Sequence, residues 1–192
     1  MAGAALRLME ADEFLVWCLG KEARYELIEG VPVEMMAGAS EVHDRIVVNI
    51  ISLLNAQLRG SPCRPTTADI ALRTRLRSVR RPDVTVTCGP PPRDNVYEAQ
   101  QPRLVVEVLS PSNVGVAWER KMREFRQREG LDYILLVDAA LVAASLYVRS
   151  DKGWDAQDFE QLSETIELDR IGCRLAMTEI YDGAGLKEEP AE

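Results

Sequence analysis

Three carboxylates in apolar surroundings are the residues of this sequence best suited to chemistry. Glu107 lies inside an almost continuous apolar run, Asp83 begins another, and Glu26 is flanked by tyrosine and leucine. A carboxylate on a buried strand carries a large desolvation cost unless it is paired or bound to a metal. Oxygen ligands from two or three carboxylates can form a Mg²⁺ site, which can polarise a phosphate and lower the pKa of a bound water. Salt bridges to arginine are the competing explanation for each carboxylate.

Lys121 is the lysine that such a site could use. The chain holds only four lysines against 19 arginines, and Lys121 is the only lysine between residues 45 and 150. It follows Glu107 by 14 residues, in a predicted helix that could cross back over the strand and bring the ammonium near the metal. A compact ammonium charge suits a water molecule or the charge that develops on a phosphate in the transition state.

Hydrophobic spacing and turn residues predict the elements that must position these four side chains. Helical spacing predicts helices over residues 12–19, 40–58 and 113–129. The segment 25–36 predicts a hairpin that turns at Glu29–Gly30, and a proline-rich loop spans 89–95. Strands are predicted over residues 67–74, 82–87, 104–109, 133–137 and 141–148, with edge strands within 151–167.

The order of these elements predicts an α/β (α+β) fold, in which a mixed β-sheet is flanked by helices. The segment 104–109 is apolar at every position but one, as expected for a central strand covered on both faces. A length of 192 residues without an internal repeat or linker suggests a single domain over residues 1–182. Residues 183–192 are rich in Gly, Glu and Pro and are expected to form a frayed acidic tail.

Residue counts exclude several kinds of site. His43 is the only histidine, so a zinc site with several imidazoles is excluded and a Ser/His/Asp triad would depend on this residue alone. The four cysteines lie far apart without a Cys-x-x-Cys pair, which predicts small buried hydrophobic residues rather than a zinc cluster or a disulfide framework. The glycine-rich loops that cradle phosphates are missing, and no organic cofactor is expected.

The expected location is the reducing cytoplasm. No apolar stretch is long enough to span a bilayer. The N-terminus lacks the charged and apolar regions of a signal peptide. A membrane partner is therefore not expected.

The net charge of −8 conceals a positively charged middle of the chain. Residues 1–44 carry a net charge of −6, residues 45–150 carry +6, and residues 151–192 carry −8. Arginine forks match phosphate oxygens, so this concentration of arginine could hold a polyanion such as DNA. The alternative is that the arginines pair with the acidic flanks or with a partner subunit. Charge alone does not decide between the two.

Short motifs, in a fixed order along the chain, resemble those of one known family. They are Tyr-Glu-Leu-Ile-Glu-Gly at 25–30, a helix bearing His43, Arg-Pro-Asp-Val at 81–84, Val-Glu-Val-Leu-Ser-Pro-Ser at 106–112, Lys121 with Phe125, Gly130, and Asp-Tyr-Ile-Leu-Leu-Val-Asp at 132–138. The sequence resembles the Uma-two family, which belongs to the restriction-endonuclease-like PD-(D/E)XK superfamily. The similarity extends from about residue 12 to residue 181.

The resemblance implies a central mixed sheet with helices on both faces and a metal-dependent phosphodiesterase site at its edge. By this resemblance Asp83 and Glu107 would be metal ligands, and the carbonyl of Val108 would add a third. Glu26 would complete the ligand set or orient the site. Lys121 would be the lysine of the site.

Three positions qualify the resemblance. Leu109 occupies the place where the wider superfamily has its lysine, which in this family moves to the helix, here to Lys121. Ala117 stands where relatives often have an aspartate, so the surroundings of the lysine differ. His43 matches a histidine of the family, and both a place near the site and a purely structural role stay open.

These observations predict an endonuclease that hydrolyses DNA phosphodiester bonds with Mg²⁺, or with Mn²⁺ in its place. A homodimer would allow both strands of a duplex to be cut. Two alternatives stay open: a nucleic-acid-binding or regulatory module with weak or no cleavage, and a scaffold that self-associates through its positive middle and acidic ends. No base-reading motif is present, so no sequence specificity is predicted.

Overall fold

The computed structural model describes residues 7–35, 40–91, 97–110 and 115–188 of the chain. The elements, in chain order, are α1 (Ala11–Cys18), β1 (Tyr25–Ile28), β2 (Val31–Glu34), α2 (Glu41–Gln57), β3 (Cys63–Thr67), β4 (Leu72–Arg75), β5 (Ser78–Arg80), β6 (Val84–Cys88), β7 (Pro102–Leu109), α3 (Val116–Gln127), β8 (Tyr133–Asp138), β9 (Ala144–Ser150), β10 (Gly153–Phe159), β11 (Thr165–Leu168), a 3₁₀ turn (Asp169–Ile171), β12 (Cys173–Ala176) and α4 (Met177–Ile180).

A six-stranded mixed sheet forms the centre of the fold. Its strand order is β10-β9-β8-β7-β6-β3, in which β7 and β8 are parallel and the other neighbours are antiparallel. The interior strand β7 is buried along most of its length. These features confirm the predicted α/β fold class and the prediction of a central strand at 104–109.

The alternation of side chains along β7 decides what each face of the sheet carries. The side chains at 104, 106 and 108 belong to the main core, which also contains the buried face of α2. Val105 belongs to a second core cluster with Met122 and Phe125 of α3. Because successive side chains of a strand point to opposite faces, Glu107 shares the α3 face with Val105.

Helix α2 is held by a capped first turn and an apolar face. Ser40 is the N-cap residue, and its hydroxyl accepts a hydrogen bond from the backbone N–H of His43, which satisfies one of the free donors of the first turn. Ile46, Ile50 and Leu54 recur at helical spacing and are fully buried. Burial of each contributes about 1.5–3 kcal/mol. The predicted helix over 40–58 is confirmed.

A second, antiparallel sheet has four strands in the order β2-β1-β5-β4. Its β1–β2 hairpin turns at Glu29 and Gly30, as predicted. Their φ angles of 50° and 89° are the positive values that a type I′ turn requires at both positions. A Cβ atom on Gly30 would lie 2.8 Å from the Cβ of Leu8, so glycine is also needed for packing. This sheet carries Glu26 on β1.

The prediction of one strand over residues 67–74 is wrong. β3 ends at Thr67 and β4 begins at Leu72, with a turn between them in which the Ile70 N–H donates to the Thr67 carbonyl. The physical reason is that the chain changes sheets here, since β3 pairs in the six-stranded sheet and β4 in the four-stranded one. The three-residue strand β5 and the C-terminal strand β12 were not predicted.

Cys63 and Cys88 form a disulfide, which corrects the prediction of four unlinked cysteines. The two residues face each other on the antiparallel strands β3 and β6. Because they are 25 residues apart, only the pairing of these strands brings them together. Cys173 is a buried free thiol, as predicted, and Cys18 is a half-buried one.

The other predicted elements agree with the structure to within a few residues, whereas the 3₁₀ turn and α4 were not predicted. Helix α3 begins at Val116, while residues 113–114, the loop positions 92–95 and the end of the predicted hairpin at 36 lie outside the described ranges. Ala184 packs into the main core, although the domain over 1–182 and the tail over 183–192 stay predictions. In the described part of the chain, no helix has the length and apolar character needed to cross a membrane.

Candidate active site

Glu107 is a buried carboxylate on the α3 face of β7, only 4% exposed. Its Oε1 lies 2.7 Å from the Lys121 Nζ, and the two groups form an ion pair. Burial raises the pKa of Glu107 to about 7, and the charges of Asp83 and Glu26 act in the same direction, against that of Lys121. Burial is thus the main cause of the shift, and the Lys121 ammonium offsets it only in part.

Asp83 lies directly before β6, where strand pairing brings it next to Glu107. β6 and β7 are antiparallel with Val84 opposite Val106, so the preceding residue of β6 stands beside the following residue of β7. The Asp83 Oδ2 accepts a hydrogen bond of 2.8 Å from the Val108 N–H. His43 also contacts the Oδ2 atom.

His43 lies at the same carboxylate, on the first turn of α2. Its Nε2 is 3.5 Å from the Asp83 Oδ2, and this contact raises the pKa of His43 against the effect of burial. The backbone of Val108 also interacts with the imidazole. The Nδ1 atom is buried, and none of the described residues forms a hydrogen bond with it. His43 thus lies at the candidate site rather than in a fully satisfied structural position.

Glu26 on β1 is held by groups from three directions. Its Oε2 accepts a 2.9 Å hydrogen bond from the Arg80 Nη1, and its Oε1 accepts a 3.0 Å bond from the Arg81 N–H. The Lys121 Nζ lies 3.5 Å from the same Oε1. Burial raises the pKa of Glu26, but the cations Lys121 and Arg80 with the Arg81 N–H hold it below its usual value.

Lys121 lies between the two carboxylates Glu107 and Glu26. Burial lowers the pKa of Lys121, but these two carboxylates outweigh burial and raise it, so the ammonium stays charged. The structure therefore places Lys121 in contact with both Glu26 and Glu107, with Asp83 beside Glu107. Ala117, one turn before the lysine, is exposed and contributes no charge.

Two buried charged residues next to the site were missed from the sequence. Arg80 of β5 donates from Nε and Nη2 to the two oxygens of Glu124, at 2.7 and 2.8 Å. The Thr74 hydroxyl of β4 donates to the same carboxylate at 2.8 Å. The spacing offered a signal, since Glu124 follows Lys121 by three residues and such residues share one face of a helix.

Many arginines of the positive middle are paired within the chain. Arg73 contacts Asp12 of the acidic N-terminal flank, and Arg77 contacts Glu10. Pairing with the acidic flanks is thus confirmed for these two arginines. Exposed arginines such as Arg123 on α3 make no ion pair with any described residue.

The donor set fits a hard divalent cation, although the described residues contain no cluster of three His, Cys, Asp or Glu side chains at metal-binding spacing. Mg²⁺ is commonly bound through one or two carboxylates while it keeps several waters. Asp83 and Glu107 provide two neighbouring carboxylates. The burial of the Glu107 carboxylate beside Asp83 favours a cation there, since a positive ion would offset the negative charge of both groups.

Comparison with known proteins agrees with this fold. A crystal structure of a protein from Anabaena variabilis, described as a “putative nuclease belonging to DUF820”, matches with a TM-score of 0.72 at 17% identity, over 92% of this chain and 99% of that one. At this identity the likeness shows the fold, a mixed α/β architecture shared with a nuclease-like protein.

The sequence comparisons define the family. The model of the Uma2 family, described as “Putative restriction endonuclease”, matches residues 11–178. The chain is 32% identical over 177 residues to “Uncharacterized protein slr1290” of Synechocystis sp., which covers 91% of this chain and 92% of that protein. The chain belongs to the Uma2 family, and the resemblance seen in its motifs is confirmed.

Proposed function

We propose that this protein is an endonuclease that hydrolyses DNA phosphodiester bonds with Mg²⁺, or with Mn²⁺ in its place. The proposal rests on the charge of the buried site, where four carboxylates are contacted by only two permanent cations among the described residues. The carboxylates are Glu26, Asp83, Glu107 and Glu124, and the cations are Arg80 and Lys121. With His43 neutral and Glu107 ionised, the site carries −2, the charge that a divalent cation neutralises.

The side chains divide into those that would hold the cation and those that would act on the substrate. Asp83 and Glu107 would bind the metal, with the Val108 carbonyl and Glu26 as the remaining candidate ligands. When bound, Mg²⁺ would polarise a phosphate oxygen and lower the pKa of a water. Lys121 stays charged and would orient the attacking water or offset negative charge on the phosphate. Glu26 would also hold the lysine in place.

The family description supports a nuclease, and DNA is the proposed substrate. Exposed arginines such as Arg123 would contact the phosphate backbone. The proposal also includes a homodimer, which would cut both strands of a duplex. It places the protein in the cytoplasm. Sedimentation analysis would test the dimer. In freshly lysed cells, Cys63 and Cys88 should then be found as thiols, because the cytoplasm keeps most cysteines reduced.

Cleavage of supercoiled plasmid tests the proposal. We expect Mg²⁺- or Mn²⁺-dependent cleavage by the wild type, and a loss of at least about 100-fold for Asp83→Asn and for Lys121→Met. Asp155→Asn and Lys152→Met change exposed residues of the same types and should retain activity. If the wild type cuts no better than Asp83→Asn, the nuclease is refuted. Salt-dependent DNA binding without cleavage would instead favour the binding module.

A further inference from the structure

Arg80 and Glu124 form a buried charged pair that has no metal-binding or substrate-binding role in the proposed function. Arg80 is 2% exposed and Glu124 is 1% exposed. The guanidinium donates two hydrogen bonds to the carboxylate, which also accepts one from Thr74. A buried ion pair often adds little net stability, because desolvation of both charges offsets their attraction. Its place beside the site therefore points to a role other than stability.

The pair reaches the candidate site by two routes. Along α3, Glu124 follows Lys121 by three residues, so the contact with Arg80 holds the helix face that carries the lysine. Within the four-stranded sheet, the Arg80 Nη1 donates a hydrogen bond of 2.9 Å to the Glu26 Oε2. The other oxygen of Glu26 faces the Arg81 N–H and the lysine ammonium. Both oxygens of Glu26 are thus engaged, and its orientation is determined.

We propose that Arg80 and Glu124 are positioning residues, which set the rotation of α3 and the orientation of Glu26 so that the Lys121 ammonium lies at Glu107. The planar guanidinium fork directs N–H groups at two carboxylates at once, which a lysine ammonium does not do in a defined geometry. The consequence for cleavage rests on the proposed nuclease function. The consequence for the position of the lysine does not.

Arg80→Lys tests the geometry because it keeps the charge and removes the fork. The matched control is Arg73→Lys, since Arg73 on the neighbouring strand β4 also contacts two carboxylates, Asp12 and Glu98, away from the lysine. The wild type has four lysines and each of these variants has five, so the ¹³Cε signal of Lys121 is assigned by adding Lys121→Arg to each protein and is followed at one pH. We expect this signal to move in Arg80→Lys and to stay in place in Arg73→Lys.

The kinetic expectation is a fall of kcat by about 10- to 100-fold in Arg80→Lys, as for a displaced reacting group. The Mg²⁺ concentration for half-maximal activity should change by less than about twofold, because the site charge is conserved. If Arg80→Lys does not fold, Thr74→Val removes one bond to Glu124 and Thr74→Ser restores it. The ¹³Cε signal of Lys121 should then move in Thr74→Val and return to its wild-type position in Thr74→Ser.

The outcomes separate this inference from the nuclease proposal. An unmoved Lys121 signal in the folded variants overturns the positioning role, whatever the activity. A moved signal with unchanged kcat overturns its catalytic consequence. A moved signal in a protein that cuts no DNA supports the positioning role while the nuclease proposal fails.

Discussion

Glu107 should make the protein less stable as the pH rises. Its pKa in the folded protein is raised from 4.5 to about 7, because burial and the charges of Asp83 and Glu26 together outweigh Lys121. Between these two pH values the folded protein retains the proton and the unfolded chain releases it. The unfolding free energy therefore decreases as the pH rises through this window. A pKa raised from 4.5 to about 7 corresponds to about 3 kcal/mol.

Glu107→Gln removes this titration while it nearly preserves the shape of the side chain. Asp83 and Lys121 are retained in both proteins, and Lys121 keeps its contact with Glu26 in the variant. Relative to the wild type, the variant should gain about 3 kcal/mol of unfolding free energy between about pH 4.5 and about pH 8. Most of the gain should occur below about pH 7.

Urea unfolding at several pH values, with a chelator present, measures this difference. Glu167→Gln, at an exposed position on β11, is the matched control and should follow the wild type. Added Mg²⁺ should raise the unfolding free energy of the wild type at high pH, because the cation would bind the ionised Glu107 carboxylate. It should have little effect on Glu107→Gln, which lacks this carboxylate. If the difference between variant and wild type changes by less than about 1 kcal/mol over the range, the reasoning about Glu107 is wrong.

Three further outcomes are expected. Changing Cys63 and Cys88 to serine should lower the unfolding free energy by about 3 kcal/mol, since the cross-link closes a loop of 25 residues. Urea curves with and without reductant measure this, and reductant should no longer affect the serine variant. Gly30→Ala should cost about 1–2 kcal/mol in the same assay, because its φ is 89° and the new Cβ would approach Leu8. Gly20→Ala, with open space around it, should be near neutral, and equal costs would contradict this explanation. His43→Gln can keep a nitrogen near the Nε2 position and should retain more plasmid cleavage than His43→Asn, whereas equal losses would argue against the contact with Asp83.

Much of the candidate site could be anticipated because it depends on local pattern. Glu107 was identified as the single charge in an apolar strand. It lies on the same face of the sheet as Val105 because side chains of a strand alternate with a two-residue repeat. The buried spacing of Met122 and Phe125 shows which side of α3 meets the sheet. Glu124 lies on that buried side as well. It was missed because a glutamate in an arginine-rich helix is usually exposed, and its partner Arg80 lies 44 residues away.

The short strand β5 shows where local pattern ends. Three residues are too few to show an alternation, yet all three are buried and the strand pairs with both β1 and β4. The same limit explains the error over residues 67–74, where the chain leaves one sheet for another. No local property of Thr67 or Leu72 indicates which of the two sheets its strand belongs to.

The sequence by itself determined the class of fold, the central strand with its lone glutamate, and the family, because these depend on hydrophobic repeats and motif order. Only the tertiary structure decided that Lys121 lies between Glu107 and Glu26, that Arg80 connects two carboxylates, and that two distant cysteines are joined. The physical reason is that such contacts depend on strand order and on how α3 lies between two sheets. These arrangements arise from packing among segments far apart in the chain, and short-range periodicity does not encode them.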